Sequence, residues 1–170
     1  MIRSIIERIK RKRLLKILRA KGMTIGDGCE IYPTAAFGSE PYLISIGNKV
    51  RINSGVTFVT HDGGVWVLRN LEEKYKDIDR FGRIIVKDNV HIGTNAIIMP
   101  GVVIGCNCIV GCGAVVTKSI PDNSIVVGVP ARVIKSVFEY ASAHECDFDH
   151  TKFLPYEQKK KYILKKYSNN

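Results

Sequence analysis

Aliphatic side chains recur at every sixth position through the middle of the chain: Val86, Ile92, Ile98, Ile104, Val110 and Val116, with Gly93, Gly105 and Gly111 each following one of them. Four positions after each aliphatic stand Val90, Ala96, Val102, Cys108, Ala114 and Ile120, all small or β-branched. Earlier, Ile25, Ile31, Phe37 and Leu43 keep the same spacing; the register then slips by three and resumes at Ile46, Ile52 and Phe58. An amphipathic helix repeats every 3.6 residues and a half-buried strand every two, so a period of six fits neither. It predicts an array of hexapeptide units from about residue 24 to about residue 134.

Such an array folds as a parallel β-helix, an all-β architecture in which each unit supplies one short strand and one turn. The aliphatic points into the lumen, the small residue fills the space beside it, and Gly, Asn or Asp supplies the turn. Three units close a triangular coil, so Val86 is expected to stack on Ile104, Ile92 on Val110 and Ile98 on Val116.

Other segments carry a different pattern. In residues 2–18, Ile2, Ile5, Ile6 and Ile9, then Leu14, Leu15, Ile17 and Leu18, follow helical spacing among Arg and Lys. We expect a basic amphipathic helix over residues 1–21, acting as a cap on the open first coil or as a peripheral contact with the inner membrane surface. Residues 22–135 form the β-helix, interrupted by an excursion at about 61–83. Residues 136–170 form a helical C-terminal tail, with Pro155 opening a segment through Tyr162, Ile163 and Leu164. The net charge of +10 divides along these lines: residues 1–21 carry +8, residues 152–170 carry +5, and the 130 residues between carry −3. A mildly acidic body without an aromatic platform among its cations argues against nucleic acid as a partner. The longest nearly apolar stretch, Ala96–Gly105, is broken by Pro100 and is far shorter than the roughly 20 residues that cross a bilayer. No cleavable leader is evident, so the expected location is the cytoplasm or the inner face of the membrane. Five cysteines, an odd number in a chain able to build a core, are expected to be reduced.

The run Val90-His91-Ile92-Gly93-Thr94 through Pro100-Gly101-Val102-Val103-Ile104-Gly105, then Val115-Val116-Thr117-Lys118-Ser119-Ile120-Pro121 and Val127-Gly128-Val129-Pro130-Ala131-Arg132-Val133-Ile134, resembles the hexapeptide-repeat acyltransferases. The resemblance covers roughly residues 24–136. It implies a left-handed coil, a homotrimer, and acetyl-coenzyme A in the groove between neighbouring prisms.

The array is broken at length only between Phe58 and Val86, and a long loop leaving a rigid solenoid is a natural seat of function. His61 stands at its root. Acetyl transfer from a thioester to a hydroxyl needs a base working near neutrality, a task that suits imidazole. Its position is similar to that of the catalytic histidine in galactoside and maltose acetyltransferases, and Thr60-His61-Asp62-Gly63-Gly64 with Trp66 resembles acetyltransferases of capsular, lipopolysaccharide and exopolysaccharide synthesis. That resemblance implies direct transfer to a sugar hydroxyl, free or lipid-linked, with His61 as general base. Asp62 either orients the imidazole or holds a sugar hydroxyl, and Trp66 offers a stacking face. The family's supporting asparagine has no counterpart in Ala35–Pro41. For coenzyme A the pattern transfers onto Thr94, Cys112, Thr117, Lys118, Arg132 and Lys135, the three cations suiting the phosphates. His91 occupies a place where the galactoside enzymes carry a tryptophan.

Cys106, Cys108 and Cys112 fall on successive units and do not converge, so no metal is expected there. His144, Cys146, Asp147, Asp149 and His150 form a denser polar cluster in the tail. The close histidine pair of gamma-type carbonic anhydrases is missing. A non-catalytic trimeric scaffold, an amino-sugar N-acetyltransferase, and acetylation of serine or a xenobiotic stand as alternatives.

Overall fold

The computed structural model describes residues 2–168, and the side chains of Ile6 and of residues 9–168. Met1, Asn169 and Asn170, which bound the expected terminal segments, and the side chains of Ile2 and Ile5 lie outside it. The chain divides into two units, Met1–Phe138 and Glu139–Asn170.

The first unit opens with helix α1 (Ile2–Ala20), then winds through β1 (Thr24–Ile25) and β2 (Glu30–Ile31). The second coil comprises β3 (Ile44–Ile46), β4 (Arg51–Ile52) and β5 (Thr57–Phe58), followed by an excursion containing helix α2 (Val65–Leu71). β6 (Ile84–Val86), β7 (His91–Ile92) and β8 (Ile97–Ile98) form the third coil, and β9 (Val103–Ile104), β10 (Ile109–Val110) and β11 (Val115–Val116) the fourth. β12 (Ser124–Val127) and β13 (Arg132–Ser136) close the array. Three parallel faces result, β1-β3-β6-β9, β2-β4-β7-β10-β12 and β5-β8-β11. The register pairs Val86 with Ile104, Ile92 with Val110 and Ile98 with Val116.

Most strands of the coils have only two residues, because the inward aliphatic and the small residue of the adjoining turn together fill the lumen. Ile31, Ile52, Ile92, Val110 and Val126 form one buried column, and Val50, Val90 and Cys108 lie inward at turn positions. At the edge joining the first face to the second, Asn89, Asn107 and Asn123 adopt left-handed backbone, which Asn tolerates better than other side-chain-bearing residues. Their amides form a ladder, Asn89 Nδ2 donating to Asn107 Oδ1 at 2.8 Å and Asn107 Nδ2 to Asn123 Oδ1 at 2.9 Å. Ile92 is fully buried between Ile52 and Val110. Ile92→Ala is expected to cost about 2–5 kcal/mol of stability, measurable by denaturant unfolding at fixed protein concentration.

Three details depart from the periodic reading. The lumen position expected for Leu43 is taken by Ile44, because Pro41–Leu43 forms a tight 3-10 turn that leaves Leu43 half-buried. The excursion is not wholly loop: Val65–Leu71 is helical, although none of its residues is buried. The array does not continue in parallel to residue 134, since β13 runs antiparallel to β12 after the chain reverses through Gly128, which has positive φ.

The second unit holds most of α3 (Val137–His144), which begins just before the boundary, and α4 (Tyr156–Tyr167), entered from Pro155. Asp149 accepts bonds from Tyr162 Oη at 2.8 Å and Lys166 Nζ at 2.7 Å, tying the segment before α4 to that helix.

Candidate active site

The edge joining the third face to the first carries the interruptions of the array. Phe37 and Phe58 stack at 5.1 Å beneath it, anchoring the first two coils to each other. From the first of these coils the chain passes through Gly38, Ser39 and Glu40 before the 3-10 turn; from the second it leaves through Val59, Thr60 and His61. Gly38 has a φ of +62°, and a Cβ there would lie 3.2 Å from Thr60 Oγ1, so its lack of a side chain lets the two segments approach.

That approach assembles a hydrogen-bonded constellation. Buried Thr60 donates Oγ1–H to Glu40 Oε2 at 2.7 Å, and His61 Nδ1 lies 3.0 Å from the same oxygen. Hydrogen bonds from Ser39 and Thr60, with a smaller contribution from His61, hold the Glu40 carboxyl down to about 2. The group is therefore an anion that only accepts, so Nδ1 donates to it and, in the neutral ring, the lone pair lies on Nε2. His61 remains 47% exposed, open to a second reactant.

The root of the excursion is zipped shut. Asp62 N–H donates to Arg80 C=O at 2.8 Å, Gly82 N–H to Thr60 C=O at 2.9 Å, and Phe81 meets the imidazole edge-on at 6.4 Å. Asp62 Oδ1 accepts the Gly64 N–H at 2.9 Å and Oδ2 pairs with Arg80 at 3.1 Å. The carboxylate hydrogen-bonded to the imidazole is thus that of Glu40, while the Asp62 oxygens are taken by Gly64 and Arg80. Farther out, Arg69 donates to Ile78 C=O and pairs with Asp79, fixing α2 against the returning chain.

A cavity of about 440 Å³ lies here, with Glu40, His61, Asp62, Trp66, Arg69 and Phe81 in its lining. Trp66, 68% exposed on α2, faces this space. A second cavity of about 320 Å³ shares Asp62 and Phe81 and runs along the edge to Met99, Gly101 and Thr117. A third, of about 240 Å³, follows at the last coil with Lys118, Ser119 and Arg132 on its rim. Neither Lys118 nor Arg132 makes an ion pair among the described residues.

The sequence-derived residues therefore separate into groups. His61, Asp62 and Trp66 share one cavity, Thr117 lines the next, and Lys118 and Arg132 share the third. Thr94 and Cys112 stack in successive turns on a different edge, where Gly113 N–H donates to Thr94 C=O at 2.8 Å. Lys135 sits on β13 opposite Ile125. In the tail, His144 pairs with Asp147 while Asp149 is held by Tyr162 and Lys166, and no group of three His, Cys, Asp or Glu side chains gathers as a metal site among the described residues. Residue patterns alone missed Glu40, Ser39, Thr60 and Phe81. The signal for Glu40 was the three-residue register slip, an insertion on the same edge as the excursion.

Residues 83–118 match the family model described as bacterial transferase hexapeptide (six repeats). Protein CapG of Staphylococcus aureus is 47% identical over 155 residues, which cover 90% of this chain and 88% of that one. A galactoside O-acetyltransferase of Escherichia coli (strain K12) is 39% identical over 99 residues, 58% of this chain and 46% of that enzyme. Among solved structures, a hexapeptide-repeat-containing acetyltransferase from Vibrio cholerae O1 biovar eltor, complexed with acetyl coenzyme A, superposes with a TM-score of 0.58 at 28% identity. That match covers 68% of this chain and 61% of the other, so the chain spans less than two thirds of that structure and about half of the galactoside enzyme.

Proposed function

The chain belongs to the hexapeptide-repeat acetyltransferases, whose prism is a left-handed β-helix, and from that premise we propose that it moves an acetyl group from acetyl-coenzyme A to a sugar hydroxyl in surface polysaccharide synthesis. The observation that carries this reading is the His61 imidazole, held through Nδ1 by the Glu40 carboxylate and open at a cavity edge. Nε2 takes the proton of the acceptor hydroxyl as its oxygen forms the new bond to the thioester carbonyl carbon. The carbon–sulfur bond breaks, and the proton passes from the imidazolium to the departing thiolate. Glu40 keeps the ring in the productive tautomer and offsets its transient charge, and no acyl-enzyme is required.

The donor suits the row of cavities along this edge. Gly101 presents bare backbone in the middle cavity, with nothing within 4 Å of where a Cβ would stand. Lys118 and Arg132 at the last coil suit the phosphates of coenzyme A. Thr94 and Cys112 belong to a different edge, which reaches the same groove only if a neighbouring prism supplies it. This supports a homotrimer. So do Trp66, Val67, Leu71, Val129 and Val133, apolar side chains left exposed by the single chain.

The reading is tested by thiol release from acetyl-coenzyme A in the presence of neutral hexoses, amino sugars or serine. Hydroxyl-sugar-dependent release is expected; release only with an amine, or none with any acceptor, would overturn it. Lys118→Ala and Arg132→Ala are each expected to raise KM for acetyl-coenzyme A about tenfold while changing kcat little. An unchanged KM in both variants would remove the groove assignment.

A further inference from the structure

Helix α1 has two apolar faces. At 3.6 residues per turn, Arg11, Leu14, Leu15 and Leu18 share one side. That side packs on β1, β2 and the end of the lumen: Leu18 is buried in the core, Leu14 and Leu15 lie against it, and the Arg11 guanidinium sits 4.5 Å over the Tyr32 ring. Arg19 Nη2 donates to Ile25 C=O at 2.8 Å, fixing the end of the helix to the first coil. This side is a complete cap. Ile6, Ile9 and Ile17 fall on the opposite side and are 46%, 60% and 44% exposed. Exposed Arg13 stands among them, and exposed Lys10, Lys12 and Lys16 flank them.

We propose that this outward face seats the protein on an anionic lipid surface, with Ile6, Ile9 and Ile17 entering the acyl boundary while Lys10, Lys12, Arg13 and Lys16 meet the headgroup phosphates. Capping alone uses only the inward stripe, whereas the second stripe places isoleucines in water. Isoleucines framed by cations match the layered chemistry of a bilayer interface, apolar inside and anionic outside. A second copy of the same face would bring like charges together. A nucleic acid would engage the cations but leave the isoleucines in water. The proposal does not depend on the acetyl-transfer reading.

The test is co-sedimentation of the full chain with phosphatidylcholine vesicles, with and without phosphatidylglycerol, and with duplex DNA as competitor. Binding is expected to require phosphatidylglycerol and to weaken with salt. The pair Ile9→Asn and Ile17→Asn should lower partitioning about tenfold or more. The pair Lys12→Glu and Arg13→Glu should lower it by about fivefold or more for each cation lost. Both pairs lie on the exposed face and should keep the wild-type unfolding midpoint and soluble acetyl-transfer rate. Absence of binding to the anionic vesicles, or equal binding to both vesicle types, would overturn the proposal. So would binding that is unaffected by the asparagine pair and abolished by DNA, which would identify a generic polyanion site.

Discussion

His61→Ala is expected to lower turnover by two or more orders of magnitude while leaving the fold and the affinity for acetyl-coenzyme A in place. The size follows from what a positioned general base contributes, about 10²–10⁴-fold, because water would have to accept the hydroxyl proton instead. The selectivity follows from the geometry. The main-chain bridge to Phe81 survives truncation, as do the Asp62 and Gly82 amide bonds that close the excursion, and the lost side chain is half in solvent. What is lost is one half-exposed hydrogen bond to Glu40, whose carboxylate keeps Ser39 and Thr60, at a cost of about 1 kcal/mol, too small to unfold the coil. Lys118 and Arg132 line another cavity on the last coil, so donor binding should not register the change. The check combines steady-state kinetics with calorimetric titration of wild type and variant. Near-normal turnover would exclude His61 as the base; lost turnover together with lost donor binding would mean that the substitution had reorganised the edge.

The fold was legible because a lumen one aliphatic wide forces a six-residue period on every coil, and Ile92, Ile98, Ile104 and Val110 report it directly. The ends were less legible. Arg132–Ser136 keeps an aliphatic spacing while running antiparallel, since a hairpin strand and a parallel one expose the same alternation to sequence. His61 could be singled out as a candidate because it sits at the break in the period, where packing no longer dictates residue type. Glu40 was hidden for two reasons. It precedes a proline in a segment that reads as an ordinary turn, and its partnership with Thr60 and His61 spans about 20 residues that only the winding of the coil brings together. Helix α2 left no periodic trace because none of its seven residues is buried. The two-sided character of α1 also needed the structure, since a list of isoleucines and leucines at helical spacing does not say which of them face the prism.

Glu40→Gln is expected to lower kcat about a hundredfold with KM for acetyl-coenzyme A unchanged. The amide preserves size, but Thr60 and His61 share one Glu40 oxygen, and if the NH₂ takes that place it donates to Nδ1, which would put the ring proton on Nε2 and remove the lone pair that accepts the substrate proton. Even with the amide oxygen turned toward the ring, no negative charge would face the imidazolium formed in the transition state. Replacement of the orienting carboxylate by its amide in a serine-protease triad costs about 10⁴-fold, and the half-exposed ring of His61, open to solvent that can also orient it, argues for a smaller loss here. Acid stability separates this role from a merely structural one. The Glu40 carboxyl is held down to about 2 from an ordinary 4.5, so between those values the folded chain binds less proton at this site than the unfolded chain. The stabilisation is complete above about pH 4.5 and is lost as pH falls toward 2, whereas the amide of the variant has no proton to gain. Thermal midpoints of wild type and variant should therefore differ at neutral pH and converge in acid, while the kcat deficit persists across the neutral range where Glu40 is fully ionised. A variant that loses stability in this pattern but turns over normally would leave Glu40 as a brace for Thr60 and the 3-10 turn, with the imidazole oriented by something else.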